Sequence, residues 1–494
     1  MNITQNHPII IQGGMGIAVS NWELAKSVSL TGQLGVVSGT AINSVLVRRL
    51  QDGDLQGHSR RALKAFPSQV IANKILETYF IEGGKASEQS YKRPPMASVE
   101  SPKALLQLTV AASFVEVWLA KEGHAGLVGL NLLEKVHLPN LACLYGAMLA
   151  DVDYVIMGAG IPREIPGALD LLSQNQKAGL KVPVAGGDDV VTYFDPAEVM
   201  ESNQLSVLKR PYFFPIVSSA VLAANLKKKS TGRVDGFIVE GPLAGGHNAP
   251  PRGPMSLNER GEPIYGERDV VDLADMKALG LPFWMAGDYA THAKLSEVRA
   301  QGAHGIQVGT LFAFANESGV TPDLKQKTVN TILNEPAPEG GWIFTDPRSS
   351  PTGFPFKAVR TSGSLADEKI YQQRKRICDL GYLRHLYKKE DGSIGQRCPA
   401  EPVQDYIKKG GLESDTVGRK CLCNALMADV GMAQIQAGGQ KELHLLTAGD
   451  DLNNIKRMMK AGQNSYSAQD VINYLMCEVS VADHQFTEIS PGNF

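Results

Sequence analysis

Eight short runs along the chain are apolar without alternation and rich in β-branched residues, which is how strands buried on both faces read. They begin at Pro8 (PIII), Leu34 (LGVVS), Val128 (VGLNLL), Tyr154 (YVIMG), Tyr212 (YFFPIV), Gly236 (GFIVE), Pro282 (PFWMA) and Gly305 (GIQVG). Helix-like stretches lie between several of them. SNWELAKSVSLTG starts at Ser20, a suitable N-cap, and ends at Gly32, a suitable C′ glycine; THAKLSEVRAQGA has the same shape from Thr291. The strand starts are 26, 94, 26, 58, 24, 46 and 23 residues apart. The shorter spacings suit one strand-helix repeat, and the longer ones mark insertions. Strand and helix repeated eight times predict an α/β fold, a TIM (β/α)8 barrel. A doubly wound sheet fits the alternation too, because spacing does not show closure.

The insertion at about 56–125 contains SRRALKAFPSQVIANKILETYFIEGGK, which predicts helix, followed by a polar, proline-rich loop, ASEQSYKRPPM. The stretch from Glu240 to Asp269 is long and dense in glycine and proline, and long loops in compact domains are usually functional. After about residue 335 the pattern changes to a proline-glycine segment, then basic helical stretches, four cysteines and a polar tail. The expected organisation is a barrel over 1–335 with its helical insertion, then a linker and a mainly helical C-terminal subdomain over 336–494.

Composition narrows the function classes. The chain has 494 residues, 43% hydrophobic and 20% charged, so a packed core is expected rather than disorder. A net charge of −2 gives no field for nucleic acid or an anionic membrane. No apolar run reaches the roughly 18 residues of a membrane span, and Met1 to Pro8 is polar, unlike a signal peptide. A cytoplasmic protein is expected. Six cysteines are too few for a disulfide scaffold. Cys378, Cys398, Cys421 and Cys423 fall in a short span, but their spacings match no CxxC pattern. Buried reduced thiols are the expectation there, with a zinc or iron–sulfur site as the alternative.

In such barrels the active site lies at the carboxyl ends of the strands. There the sequence places Gln12-Gly13-Gly14-Met15-Gly16, Asn131, Gly158-Ala159-Gly160, Gly241, Gly245-Gly246-His247, Gly287-Asp288 and Gly309-Thr310. Glycines let backbone N–H groups approach a phosphate or a flat ring closely. Barrel phosphate sites commonly use the loops after strands seven and eight, where Gly287 and Gly309-Thr310 stand. His247 follows two glycines at a strand end, and an imidazole can exchange a proton near neutral pH. No GxGxxG follows the first strand, and the P-loop, HExxH and GxSxG patterns are absent.

The stretches PIIIQGGMG, LGVVSGT, VGLN, VIMGAGIP, DGFIVEGPLAGGH and GAHGIQVGTLF, in this order, resemble the nitronate monooxygenase (2-nitropropane dioxygenase-like) family, itself similar to flavin-dependent enoyl-acyl carrier protein reductases. The resemblance spans roughly 8–318 without the insertions. It implies a barrel holding FMN, with Gly14, Met15 and Gly16 along the flavin and Asn131 hydrogen-bonded to it. It further implies Gly245 and Gly246 close to the cofactor, and Gly287, Gly309 and Thr310 on the phosphate with Gln307 just before them. His247 matches the family's active-site histidine. The implied activity is oxidation of nitroalkanes or nitronates with O2. The alternative is NAD(P)H-dependent reduction of an enoyl thioester, acting in trans in a fatty-acid or polyketide pathway. The substrate is then a small molecule, a nitronate or an acyl thioester. An acyl carrier protein is a candidate partner for the basic stretch Gln372–Arg376 with Arg384, Lys388 and Lys389; a solvated helix face is the plainer expectation for it. Two departures stand out: Asp288 where the family often has a second glycine, and the long insertion and cysteine-bearing tail. Asp288 is expected to point away from a phosphate or to cap the next helix.

Overall fold

The computed structural model describes residues 7–202, 204–459 and 463–477; the start of the polar N-terminal stretch, 1–6, and the polar tail after Cys477 lie outside the described residues. All eight apolar runs are strands: β1 (Ile10–Gln12), β2 (Gly35–Ser38), β3 (Val128–Leu133), β4 (Tyr154–Gly158), β5 (Tyr212–Val217), β6 (Phe237–Glu240), β7 (Phe283–Ala286) and β8 (Gly305–Val308). Each pairs in parallel with its sequence neighbours, and β8 pairs with β1. A parallel bridge between Ile11 and Leu34 joins β1 to the start of β2, with Gln12 N donating to Leu34 O at 2.9 Å. The sheet therefore closes on itself, which excludes the doubly wound alternative.

The barrel interior is packed by Ile11, Val36, Ile156, Phe214, Ile238 and Trp284, all fully buried. Trp284 stacks on Phe214 at 4.8 Å and donates its indole N–H to Pro8 O at 2.9 Å. The amino-terminal end of the barrel is thus plugged, and open space is left at the carboxyl end, as layered side-chain packing requires.

Local signals explain the helix limits. Thr291 caps Lys294 N at 3.2 Å, as its sequence position predicts. The first helix, Trp22–Ser29, is capped by Asn21 rather than Ser20. Ser20 is used elsewhere: its hydroxyl accepts from Gln12 Nε2 and Met15 N and donates to Gly13 O, fixing the loop after β1. The insertion forms helices His58–Ala65, Gln69–Tyr79 and Lys103–Lys121. The first two are separate because Pro67 cannot continue a helix and Ser68 caps the next. Lys103–Lys121 is long and apolar enough to cross a membrane by length and composition, contrary to the expectation that no apolar run is. Gln107, Ser113 and Glu116 interrupt the run, and 78% of its most apolar window is buried inside the protein, so core packing accounts for its composition.

The region after 335 carries short helices and also two hairpins, 343–346 with 356–359 and 385–388 with 394–397. Both pair with the part of the chain before 336. Residues 356–357 pair with Gly246–His247, and Leu386–Tyr387 pair with Val184–Ala185. The basic stretch is partly internal: Arg374 is ion-paired with Glu442 among buried groups, and Arg376 lies over the Tyr371 ring. It is not the uninterrupted solvated face that its composition predicts.

Candidate active site

One cavity opens at the carboxyl ends of the strands, about 1440 Å³ when counted out to its mouth. Gly14, Met15, Gly16, Asn131, Gly245, Gly246, His247, Gly287, Gln307, Gly309 and Thr310 line it, whereas Gln12, Gly160 and Gly241, also expected at strand ends, do not. The loop after β1 forms one wall. Gly14 lies so close to β3 that an added Cβ would stand 2.1 Å from the Asn131 Cβ. Asn131 and Gln307 project from within β3 and β8. Gln307 Oε1 is buried and has no hydrogen-bond partner among the described residues. An acceptor in that state costs roughly 1–3 kcal/mol unless a donor fills the space.

The roof comes from the C-terminal region, through Leu426, Asp429, Leu446, Thr447, Ala448 and Gly449. Gly246, at φ +76°, donates its N–H to Thr447 Oγ1 at 2.8 Å. Gly245 must be glycine for a different reason, since a Cβ would meet the Ala448 carbonyl carbon at 2.7 Å.

His247 is held from the same side. Its Nε2 is 2.7 Å from Ser350 Oγ, which is 2.7 Å from Thr352 Oγ1. Phe356 packs edge-on against the ring at 5.0 Å. Burial among these groups lowers the imidazole pKa to about 4, so the ring is neutral at physiological pH. At the end of β6, Glu240 also lines the cavity, and burial raises its carboxyl pKa to about 8.

Thr310 is engaged differently from expectation. Its hydroxyl donates to Asp451 Oδ1 at 2.6 Å and accepts from Gly449 N at 3.0 Å. Burial raises the Asp451 pKa to about 6. Asp288, at φ +58°, is ion-paired with Lys294 at 2.6 Å. It does not cap the following helix, whose cap is Thr291. No lysine or arginine lines the cavity, so an anion there would rely on backbone N–H groups and neutralised carboxyls.

Glu240, Ser350, Asp451 and Thr447 were not anticipated. Glu240 had a signal, a carboxylate ending an apolar strand. The other three had none, because they reach the site from a region distant in sequence.

The family model for nitronate monooxygenase matches residues 190–335, the segment that carries β5 to β8 and His247. No curated protein matches the chain by sequence. Among solved structures, FabK from Thermotoga maritima is similar at 15% identity and a TM-score of 0.46, covering 95% of this chain and 91% of that one. A nitroalkane oxidase from Streptomyces ansochromogenes is similar at 14% identity and a TM-score of 0.46, covering 95% and 94%. The enoyl reductase domain of MlnA from Bacillus amyloliquefaciens stands at 11% and 0.44, covering 95% of each chain. Likeness at this level says nothing of the substrate. The match over residues 190–335, less than a third of the chain, likens that segment to the nitronate monooxygenase family.

Proposed function

We propose that the cavity binds FMN and oxidises nitroalkanes or their nitronates with O2, with His247 as the base that removes the proton beside the nitro group. The observation that carries this reading is the place of the His247 imidazole in the cavity wall. With its pKa near 4, the ring accepts a proton at pH 7 without first losing one. The scheme uses the tautomer in which Nε2–H faces Ser350 Oγ at 2.7 Å and Nδ1 is the bare acceptor. Ser350 is a positioning residue in this scheme, because it holds the ring in the cavity wall.

The residues fit a flavin. Gln307 Oε1 lacks a donor, Asn131 lines the cavity, and Gly14, Met15 and Gly16 offer a wall without bulky polar groups. Gly245 and Gly246 would run beside the ring, and Gly287, Gly309 and Thr310 would face the phosphate. Bound flavin would supply the electron acceptor for the substrate and pass electrons to O2. Incubation with a nitroalkane in air should consume oxygen and release nitrite; no nitrite at any pH contradicts the proposal.

Asp451 sets a condition on FMN. Its carboxylate would stand near the phosphate, so FMN binds best when Asp451 is protonated. Because its pKa is raised to about 6, affinity should fall as pH rises through that value. Asp451→Asn keeps a polar group beside Thr310 and removes the charge. It should tighten FMN about tenfold at pH 8, the equivalent of one pKa unit of coupling, and flatten the pH dependence. Titration of apoprotein with FMN at two pH values measures both.

One observation favours the second reading, reduction of an enoyl thioester. Glu240 holds its proton up to about pH 8 and can donate it at neutral pH. Rapid anaerobic bleaching of bound flavin by NADH or NADPH would favour that reading, and slow bleaching the first.

A further inference from the structure

Four of the six cysteines meet in the C-terminal region, away from the flavin cavity. Cys378 follows the helix Glu368–Gln373, Cys398 follows the strand Ile394–Arg397, Cys421 caps the helix Leu422–Asp429, and Cys423 is in that helix's first turn. All four line one small pocket. The sulfurs are served by donors. The backbone N–H groups of Ala400, Asn424 and Leu383 hydrogen-bond to Cys398, Cys421 and Cys423, and Asn424 Nδ2 lies 3.7 Å from Cys421 Sγ. Arg374 faces Cys421, while Arg384 faces Cys378, Cys398 and Cys423.

Packing alone does not account for this. A buried thiol that only fills space behaves as a small hydrophobe and needs neither N–H donors nor a guanidinium. Donors of this kind tune ligand sulfurs in metal centres, which become thiolates on binding the metal. Among the described residues no three histidine, cysteine or acidic side chains are grouped so as to hold a single metal ion. Ligand sulfurs of one zinc must all lie about 2.3 Å from it, whereas those of a polynuclear cluster bind different irons and stand farther apart.

We propose that Cys378, Cys398, Cys421 and Cys423 bind an iron–sulfur cluster. The site abuts the substrate-side machinery. Pro351 lines the thiol pocket, while its neighbour Ser350 holds His247. Lys420 N donates to Ser349 O at 2.8 Å, and Arg419 Nη1 to Ser350 O at 2.5 Å, so the segment leading into Cys421 is bonded to the loop that positions the base.

The whole chain, purified without oxygen, should carry iron and acid-labile sulfide in equal amounts, about four of each per chain, with a Mössbauer spectrum of clustered iron. Cys398→Ala and Cys423→Ser should each lose both, while Cys143→Ala, a buried cysteine outside the pocket, should keep both. If a variant fails to fold, the iron and sulfide content of the unaltered protein still decides. Zinc near one per chain, no iron and sulfide even after reconstitution with ferrous iron and sulfide, or iron unchanged in both pocket variants would overturn the proposal. Flavin content is measured on the same samples, so failure here is distinguishable from failure of the flavin site.

Discussion

Replacing His247 with alanine should lower kcat/KM for a neutral nitroalkane by about 10²–10⁴-fold, the range over which a positioned base contributes. The expectation rests on where the ring is and on its charge. It lines the cavity from the short strand paired with Phe356 and Lys357, and burial keeps it neutral down to about pH 4. A nitronate supplied already deprotonated has no proton left to remove, so its turnover should survive the substitution far better. The pH dependence follows from the same shift. The acid limb of kcat/KM for the neutral substrate should fall near pH 4 rather than near the ordinary histidine value of 6.5, because the free base is present above its pKa and lost below it. If the reductase reading were right, a basic limb near pH 8 would report loss of the Glu240 proton. Nitrite release measures the first series. Equal nitroalkane turnover in the variant and the unaltered enzyme would remove His247 from the mechanism.

The second large effect is expected at Gly14→Ala. The added Cβ would stand 2.1 Å from the Asn131 Cβ, and neither atom is the far end of a flexible side chain. β3 cannot yield, since it is hydrogen-bonded on both edges, to β2 and to β4. The loop after β1 must move instead, yet Ser20 ties Gly13 and Met15, and Ser38 Oγ donates to Gly16 O at 2.6 Å. Relief therefore lies toward the cavity, where the flavin would sit. Overpacking of this kind costs about 1–3 kcal/mol, so FMN affinity should fall by about one to two orders of magnitude. Gly266→Ala, where nothing lies within 4 Å of the added carbon, is the control that should leave FMN binding unchanged. Fluorescence titration of both apoproteins tests the pair, and equal affinities would show that the Gly14 wall does not touch the cofactor.

The barrel was legible because parallel strands buried on both faces have to be continuously apolar, and each of the eight runs met that demand. What came between them was less legible. The long helix Lys103–Lys121 is broken in composition by Glu116, whose carboxylate accepts from Trp22 N and pairs with Arg49 inside the protein. Ser20 and Asn21 are both good caps, and the loop after β1 decides between them by engaging Ser20. At the site, glycines and a histidine at strand ends carried a local signal. Partners brought by the chain's return did not: Ser350 is 103 positions from His247, and Asp451 is 141 from Thr310. Arg374 reads as solvated charge until Glu442, 68 positions later, folds against it.

The most direct test of the central claim, a flavin held at the carboxyl end of this barrel, is the cofactor content of the purified chain. Denaturation should release FMN close to one per chain, and the native protein should show the two-banded absorbance of oxidised flavin. A protein that releases no flavin and takes up none when FMN is added would contradict the account.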